Sequence, residues 1–199
     1  MLKYRLARES GSTYKIEEHA LADAQRAIRL IRSRAAEWKV NPARIGIMGF
    51  SAGGHLASTA ATHFNHNYIS NEKNINLRPD FAILIYPVIS FQNDIAHTGS
   101  RDQLIGKDAS KEMTDSFSNE LQVNDRTPPS FLVQATDDDV VPVMNSIVFY
   151  EALIKYKIPA EMHLYKSGGH GFGMNNPTTN DQWMERCRNW MKSMKLLPE

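Results

Sequence analysis

The sequence predicts an α/β domain with a mostly parallel sheet and helices on both faces. Short apolar runs typical of strands alternate along the chain with longer segments in which apolar residues recur every three or four positions. One run, residues 81–91, is apolar almost throughout, as expected of a central parallel strand covered on both faces. The length of 199 residues suits one domain, residues 1–199, that can bury a sizeable core.

The composition excludes several classes of protein. The formal net charge is +1, so no bulk attraction to nucleic acid or to acidic membranes is expected. The single cysteine, Cys187, excludes a disulfide framework, and its apolar surroundings make it a core residue. Residues 1–6 have no apolar signal core, no run approaches a membrane span, and no cluster has metal-ligand spacing. We therefore expect no metal or cofactor and no nucleic-acid or membrane partner. The sequence does not settle the compartment: the chain as written has no signal peptide and would be cytoplasmic, but this means little if the true N-terminus is missing.

A short strand, a polar loop and a long helix are predicted at the start of the chain. Residues 2–7 could form the strand, and residues 10–12 belong to the loop. An amphipathic helix of about five turns should follow, because apolar residues step by three and four. Its apolar stripe consists of Leu21, Ala24, Ile28, Ile31, Ala35 and Trp38. The arginines mostly off this stripe are expected to be solvated: Arg26, Arg29, Arg32 and Arg34.

The second predicted strand covers residues 44–50, and a helix begins directly after Ser51. Small apolar residues on this helix would let it lie close to the sheet. His55 and His63 lie on the helix, and we expect both to be structural. Residues 65–79 form a polar loop rich in asparagine that leads to the buried strand.

A cap-like insertion is predicted at residues 92–127. This polar segment is long for a connection in a compact domain, and long loops of this kind often cover functional sites. Two pieces of it could be helical, near residues 101–104 and 114–121.

The C-terminal part continues the alternation of strands and helices. A strand at residues 130–135 is followed by a helix at residues 145–156. Residues 160–166 alternate between apolar and polar, which is typical of a half-exposed strand near an edge. A loop at residues 167–173 precedes the last helix. The apolar stripe of that helix consists of Trp183, Cys187, Trp190 and Met194.

A serine lies in a Gly-x-Ser-x-Gly pattern, between the strand at residues 44–50 and the helix that follows. In this strand–turn–helix context a serine becomes a nucleophile. Gly49 and Gly53 remove side chains from the crowded turn, which lifts the Ser51 hydroxyl off the sheet. The turn also directs the N–H of Ala52 toward the place where an oxyanion would form. A tight turn with no catalytic role is the alternative.

Two further candidate groups follow the ends of later strands. Reactive groups gather at the carboxyl ends of parallel strands, and the carboxylates of residues 137–139 and the imidazole of His170 are expected there beside Ser51. A serine hydroxyl needs an imidazole to take its proton and a buried carboxylate to orient that imidazole. His170 is the best base among seven histidines because it lies in a glycine-flanked loop after a strand. Spacing does not choose the acid, since Asp137 and Asp139 could equally form a turn or cap a helix.

Four motifs carry a resemblance to a known family. They are Gly49-Phe50-Ser51-Ala52-Gly53-Gly54-His55-Leu56-Ala57, Phe117-Ser118-Asn119-Glu120, Asp138-Asp139-Val140-Val141-Pro142-Val143 and Gly168-Gly169-His170-Gly171-Phe172. The chain resembles, over essentially its whole length, esterases of the α/β-hydrolase superfamily, close to bacterial acetylxylan esterases and feruloyl-esterase-like enzymes. The resemblance implies a catalytic triad of Ser51, Asp138 and His170, with the acid four residues before Pro142. It also implies a carboxylic ester hydrolase that removes acetyl groups from xylan or other plant-polysaccharide fragments through an acyl-enzyme, although relatives act on varied small esters.

The chain departs from the family pattern at its N-terminus. Full-length relatives begin with further strands and a His-Gly-Gly-Gly type loop that supplies a second oxyanion amide. The first glycine here is Gly11, which leaves Ala52 as the only obvious donor. The strand at residues 44–50 would then have an open edge or take residues 2–6 as a new neighbour, and an open apolar edge favours self-association. We therefore expect an N-terminally truncated α/β-hydrolase fold, with a catalytically impaired fragment or a serine peptidase of the same superfamily as the alternatives.

Overall fold

A four-stranded parallel sheet organises the computed structural model, which describes residues 1–6 and 13–197. Its strands are β1 (Gly46–Phe50), β2 (Phe81–Ile85), β3 (Ser130–Ala135) and β4 (Ala160–Tyr165). They lie side by side in chain order, and every neighbouring pair is parallel. The predicted α/β class with a parallel sheet is therefore confirmed.

Helices alternate with these strands and cover both faces of the sheet. They are a π-helical turn (Glu17–Leu21), α1 (Ala22–Ser33), α2 (Ala35–Trp38), α3 (Ala52–Thr62), α4 (Thr98–Ile105), α5 (Lys111–Ser116), a 3₁₀ turn (Asn119–Gln122), α6 (Met144–Lys155) and α7 (Trp183–Ser193). Helices α3 and α6 pack on one face, where Ala57 and Phe149 meet Leu84 and Leu132. Helix α7 packs on the other face, and Cys187 is buried there as predicted.

The predicted first helix is interrupted near its end. Its backbone leaves helical geometry at Arg34, and the helix stops at Trp38, where Lys39 adopts left-handed φ and ψ. Trp38 is 42% exposed, so the predicted apolar stripe does not extend to it. The expectation that all four arginines are solvated was wrong for Arg32. Its side chain is 10% exposed, and its guanidinium pairs with Asp80 at 3.0 Å, which ties α1 to the start of β2.

The predicted strand at residues 2–7 was wrong, because residues 1–6 form no strand. The backbone N–H of Arg5 donates instead to the carboxylate of Asp23 at 3.0 Å. The Arg5 guanidinium binds the same carboxylate at 2.8 Å, so contacts with a side chain of α1 replace the backbone hydrogen bonds of a strand pair. Ala7 and the predicted loop at residues 10–12 lie outside the described residues.

Strand β1 forms one edge of the sheet. Within residues 1–6 and 13–197, β2 is the only strand that pairs with it. Of the two arrangements predicted for β1, the described part of the chain has the open edge. Met48, in the middle of the strand, is 43% exposed.

The polar segment at residues 92–127 folds into short helices that are anchored on α3. Helices α4 and α5 and the 3₁₀ turn lie at or beside the two predicted helical pieces. His55 donates to the carbonyl of Phe117 at 2.9 Å, and His63 donates to the carbonyl of Ser116 at 3.0 Å. His55 also stacks on Phe91 with ring centroids 4.4 Å apart. Both histidines therefore have the structural role expected of them.

Candidate active site

Ser51 occupies a strained turn between the end of β1 and the start of α3. Its φ of 52° and ψ of −122° are unusual for a residue with a side chain, and such strain persists only where the surroundings impose it. The N–H of Ser51 donates to the carbonyl of Ile85 at 3.0 Å, and its carbonyl accepts the N–H of Val88 at 3.1 Å. The turn is therefore bound on both sides to the chain at the end of β2.

Glycines allow α3 to start this close to the sheet. A Cβ at Gly49 would lie 2.0 Å from the carbonyl oxygen of Gly53, and a Cβ at Gly54 would lie 2.6 Å from Pro87. Both clashes involve backbone or a rigid ring, which cannot move aside. The turn therefore requires glycine at Gly49 and Gly54. The expectation for Gly53 was wrong, because a Cβ there would make only an ordinary contact at 3.7 Å.

His170 lies between the Ser51 hydroxyl and a buried carboxylate. Its Nε2 is 2.8 Å from Ser51 Oγ, and its Nδ1 is 2.8 Å from Asp138 Oδ2. The His170 side chain is 16% exposed, whereas the Asp138 carboxylate is fully buried. An ionised carboxylate can only accept, so Nδ1 carries the proton and Nε2 is free to accept the serine hydroxyl. The structure thus brings together the three residues proposed as a triad, in the geometry of a nucleophile, a base and an orienting acid.

The carboxylate of Asp138 is held by protein donors on both oxygens. Oδ1 accepts the backbone N–H groups of Val140 and Val141 at 3.0 and 2.9 Å. Oδ2 accepts the side-chain amide of Gln134 at 3.2 Å in addition to His170. These bonds fix the carboxylate where it can orient the imidazole.

The neighbouring aspartates lie elsewhere. Asp137 accepts the N–H of Gly169 at 2.8 Å and so supports the loop that carries His170, and Asp139 is exposed. Of the three carboxylates between which spacing did not choose, only Asp138 contacts His170 in the described structure.

An aromatic side chain that the sequence analysis missed supports His170. The ring of Tyr86, just after β2, contacts the imidazole edge-on with centroids 4.9 Å apart. Its hydroxyl accepts the N–H of Gly173 at 3.1 Å, and Trp183 donates to the Gly173 carbonyl at 3.1 Å. Burial raises the pKa of Tyr86 above its usual range, so the ring stays neutral beside the base. The predicted strand over residues 81–91 put Tyr86 in its middle, so no sequence signal pointed to this role; the observed strand ends just before it, at Ile85.

Ala52 presents its N–H at the first position of α3. Amides in a first helical turn have no acceptor within the helix, and the helix dipole favours negative charge there. Ala52 is also exposed, so a bound molecule can reach it.

The part of the chain that the structure describes contains no group of three or more His, Cys, Asp or Glu side chains that could hold a metal ion. Nor does any helix in it have the length and apolar character needed to cross a membrane.

Comparison with protein families and curated proteins gives consistent matches. The model of the BD-FAE family matches residues 2–153. An acetylxylan esterase from Xylanibacter ruminicola is 36% identical over 179 residues, which cover 87% of this chain and 35% of that protein. Endo-1,4-beta-xylanase B from Butyrivibrio fibrisolvens is 38% identical over 170 residues, which cover 84% of this chain and 27% of that protein. The chain therefore spans between about a quarter and a third of the length of these curated relatives.

A solved structure matches the fold closely. The acetyl ester-xyloside bifunctional hydrolase from Caldicellulosiruptor lactoaceticus superposes with a TM-score of 0.82 at 38% sequence identity. The match covers 89% of this chain and 66% of that one. The parallel sheet with its flanking helices is thus the fold of the α/β-hydrolase esterases.

Proposed function

The chain belongs to the BD-FAE family and has the α/β-hydrolase fold, and from that premise we propose that it is a serine carboxylesterase acting on small acyl esters, acetyl esters above all. The observation that carries the proposal is the continuous path from Ser51 through His170 to Asp138, with 2.8 Å at each step. The names of the relatives support acetylated xylan, or another plant-polysaccharide fragment, as the substrate.

The reaction would proceed in two halves through an acyl-enzyme. In the first half, Ser51 Oγ attacks the ester carbonyl carbon while His170 Nε2 takes the hydroxyl proton. The carbonyl electron pair moves onto oxygen, and the N–H of Ala52 donates to the resulting oxyanion. The intermediate then expels the alcohol, which receives its proton from His170, and leaves acetyl-Ser51.

The second half returns the enzyme to its starting state. Water attacks the acetyl group and gives a proton to His170, which passes it back to Ser51 as acetate leaves. Asp138 stabilises the imidazolium in both halves because its carboxylate is buried and faces Nδ1. No group other than this chain's residues, the ester and water is required.

Ser51→Ala tests this function directly. We expect it to lower kcat on a small activated acetyl ester and on acetylated xylo-oligosaccharides by about 10⁴-fold or more, because the nucleophile is removed. Ser33→Ala is the matched control, since Ser33 lies in α1 and its hydroxyl bonds only within that helix. A folded Ser51→Ala protein that hydrolyses these esters as fast as the wild type would overturn the proposal.

We also propose that copies of the chain associate through the open edge of β1. The support is the unpaired outer side of this strand within the described residues, together with the exposed Met48. Strand edges with free backbone groups and apolar side chains readily pair with another chain.

A further inference from the structure

The hydroxyl of Tyr4 lies beside the first turn of α3. Its oxygen is 3.7 Å from the point where a Cβ of Gly53 would stand. Cα–Cβ bonds in a helix tilt toward the helix N-terminus, so this point faces the end at which Ala52 presents its N–H. A polar side chain therefore lies beside the helical turn that carries the N–H of Ala52, the proposed oxyanion donor.

Packing and ion pairing hold Tyr4 in this place. Its side chain packs against a buried apolar cluster to which Leu21 before α1 and Leu56 on α3 both belong. The next residue, Arg5, is tied to Asp23 by both its backbone N–H and its guanidinium. The position of the hydroxyl is thus fixed by the packing of the Tyr4 side chain and by the contacts of the residue that follows it.

The hydroxyl is available as a donor. Within residues 1–6 and 13–197, the structure shows no hydrogen bond to its oxygen. Burial raises the pKa of Tyr4 above its usual range, so the group keeps its proton at neutral pH. A half-buried O–H with no acceptor among the described residues can donate to a ligand at little cost, because no bond seen there must break.

We propose that the Tyr4 O–H donates a hydrogen bond to the oxyanion that forms when Ser51 attacks an ester, and that it acts together with the N–H of Ala52. The inference rests on the proposed function and adds a second donor to it. The electron pair of the carbonyl becomes the charge on oxygen, the serine proton passes to His170, and Tyr4 keeps its own proton throughout. Tyrosine hydroxyls belong to the side chains that can serve as oxyanion donors.

Tyr4→Phe removes the donor and leaves the ring. We expect kcat to fall about 100-fold while KM changes little, because the interaction exists only in the transition state. Tyr68→Phe is the matched control. Tyr68 packs in the same apolar cluster, and burial likewise raises its pKa, but it lies in the loop after α3. Its kcat should equal that of the wild type.

A ketone inhibitor separates oxyanion binding from turnover. A trifluoromethyl ketone adds to Ser51 and forms a stable oxyanion, so Tyr4→Phe should bind it about 100-fold more weakly. The KM for the ester substrate should stay close to that of the wild type. If the proposed function fails because the wild type hydrolyses no ester, comparing the ketone affinity of the wild type with that of Tyr4→Phe still decides the role of Tyr4.

Gly53→Ala gives a second variant that should keep the fold. The added methyl group would be in ordinary contact with the Tyr4 hydroxyl at 3.7 Å, and alanine favours a helix over glycine. The methyl group would partly cover the hydroxyl, so Gly53→Ala should lower kcat when it is made in the wild type. Made in Tyr4→Phe, the same substitution should have no further effect. Equal kcat and equal ketone affinity in wild type and folded Tyr4→Phe, or fully additive effects of the two changes, would overturn the inference.

Discussion

At the scale of single residues, the carboxylate of Asp138 sets the tautomer of His170. In Asp138→Asn, the side-chain amide oxygen can still accept the N–H groups of Val140 and Val141. The amide nitrogen then faces His170 Nδ1 and donates to it, so the imidazole proton moves to Nε2 and the serine loses its base. We expect kcat for a small acetyl ester to fall about 10⁴-fold. The amide nitrogen cannot accept the side-chain amide of Gln134, so that buried bond is lost and the free energy of unfolding should fall by about 1 kcal/mol.

The adjacent aspartate supplies the control for this experiment. Asp137 accepts the Gly169 N–H through one oxygen, and an amide oxygen in Asp137→Asn can do the same. Its kcat should stay within about tenfold of the wild type, since the contact supports the loop and does not touch the imidazole. Comparable losses in the two variants would contradict the role assigned to Asp138.

The nucleophile and the base could be located from local sequence patterns and the acid from the family resemblance, whereas the two tyrosines near them could not. Ser51 is recognisable because the apolar strand, the glycines and the helix that define its turn are all local. The choice of Asp138 over its neighbours depends on which carboxylate is buried against a histidine 32 positions away. The roles of Tyr4 and Tyr86 likewise depend on contacts with distant parts of the chain, which no local pattern encodes.

At the scale of elements, α3 joins the nucleophile to the segment at residues 92–127 through two histidines, His55, which is buried, and His63, which is partly buried. Both must be neutral in the folded state, and burial lowers the pKa of His55 to about 4 and that of His63 below its usual value. Unfolded chains bind these protons near pH 6.5. The contribution of these two histidines to the free energy of unfolding should therefore be constant above about pH 6.5 and fall as the pH drops from about 6.5 toward 4.

Urea unfolding at a series of pH values measures this slope. His55→Gln keeps a donor for the Phe117 carbonyl and removes one titrating group, so its free energy of unfolding should depend less on pH than that of the wild type. His66→Gln is the control, because His66 is exposed, and its slope should match the wild type. A His55→Gln slope as steep as the wild-type slope would show that another group is responsible.

Elements were predicted well where their sequence pattern is periodic. They were predicted poorly where a contact with another part of the chain decides the backbone conformation. The strands β3 and β4 and the helices after Ser51 lie close to where periodicity places them. Residues 2–6 have suitable composition for a strand, but Arg5 gives its N–H to Asp23 instead of to a ladder. The run at residues 81–91 is buried throughout, yet β2 ends at Ile85 because Tyr86 turns with a φ of 36°. Burial alone does not distinguish a strand from the buried turn that follows it.

At the scale of the whole molecule, the two edges of the sheet differ in character. The edge at β4 carries ionisable side chains, and Glu161 pairs there with His163 at 2.7 Å. Charged groups on an edge oppose the addition of another strand. The edge at β1 has no such group among Gly46–Phe50, and Met48 is its most exposed side chain. Association is therefore expected at β1 and not at β4.

A charge in the middle of β1 tests this expectation. The wild type should sediment as larger species when its concentration is raised from the micromolar toward the millimolar range. Met48→Lys should remain a monomer, because pairing would bring the added ammonium out of water into the contact. Met184→Lys is the matched control. Met184 is another exposed methionine, on α7, and its replacement should leave the association unchanged. A wild type that stays monomeric across this range, or a Met48→Lys protein that associates equally well, would show that the outer side of β1 is not the contact surface.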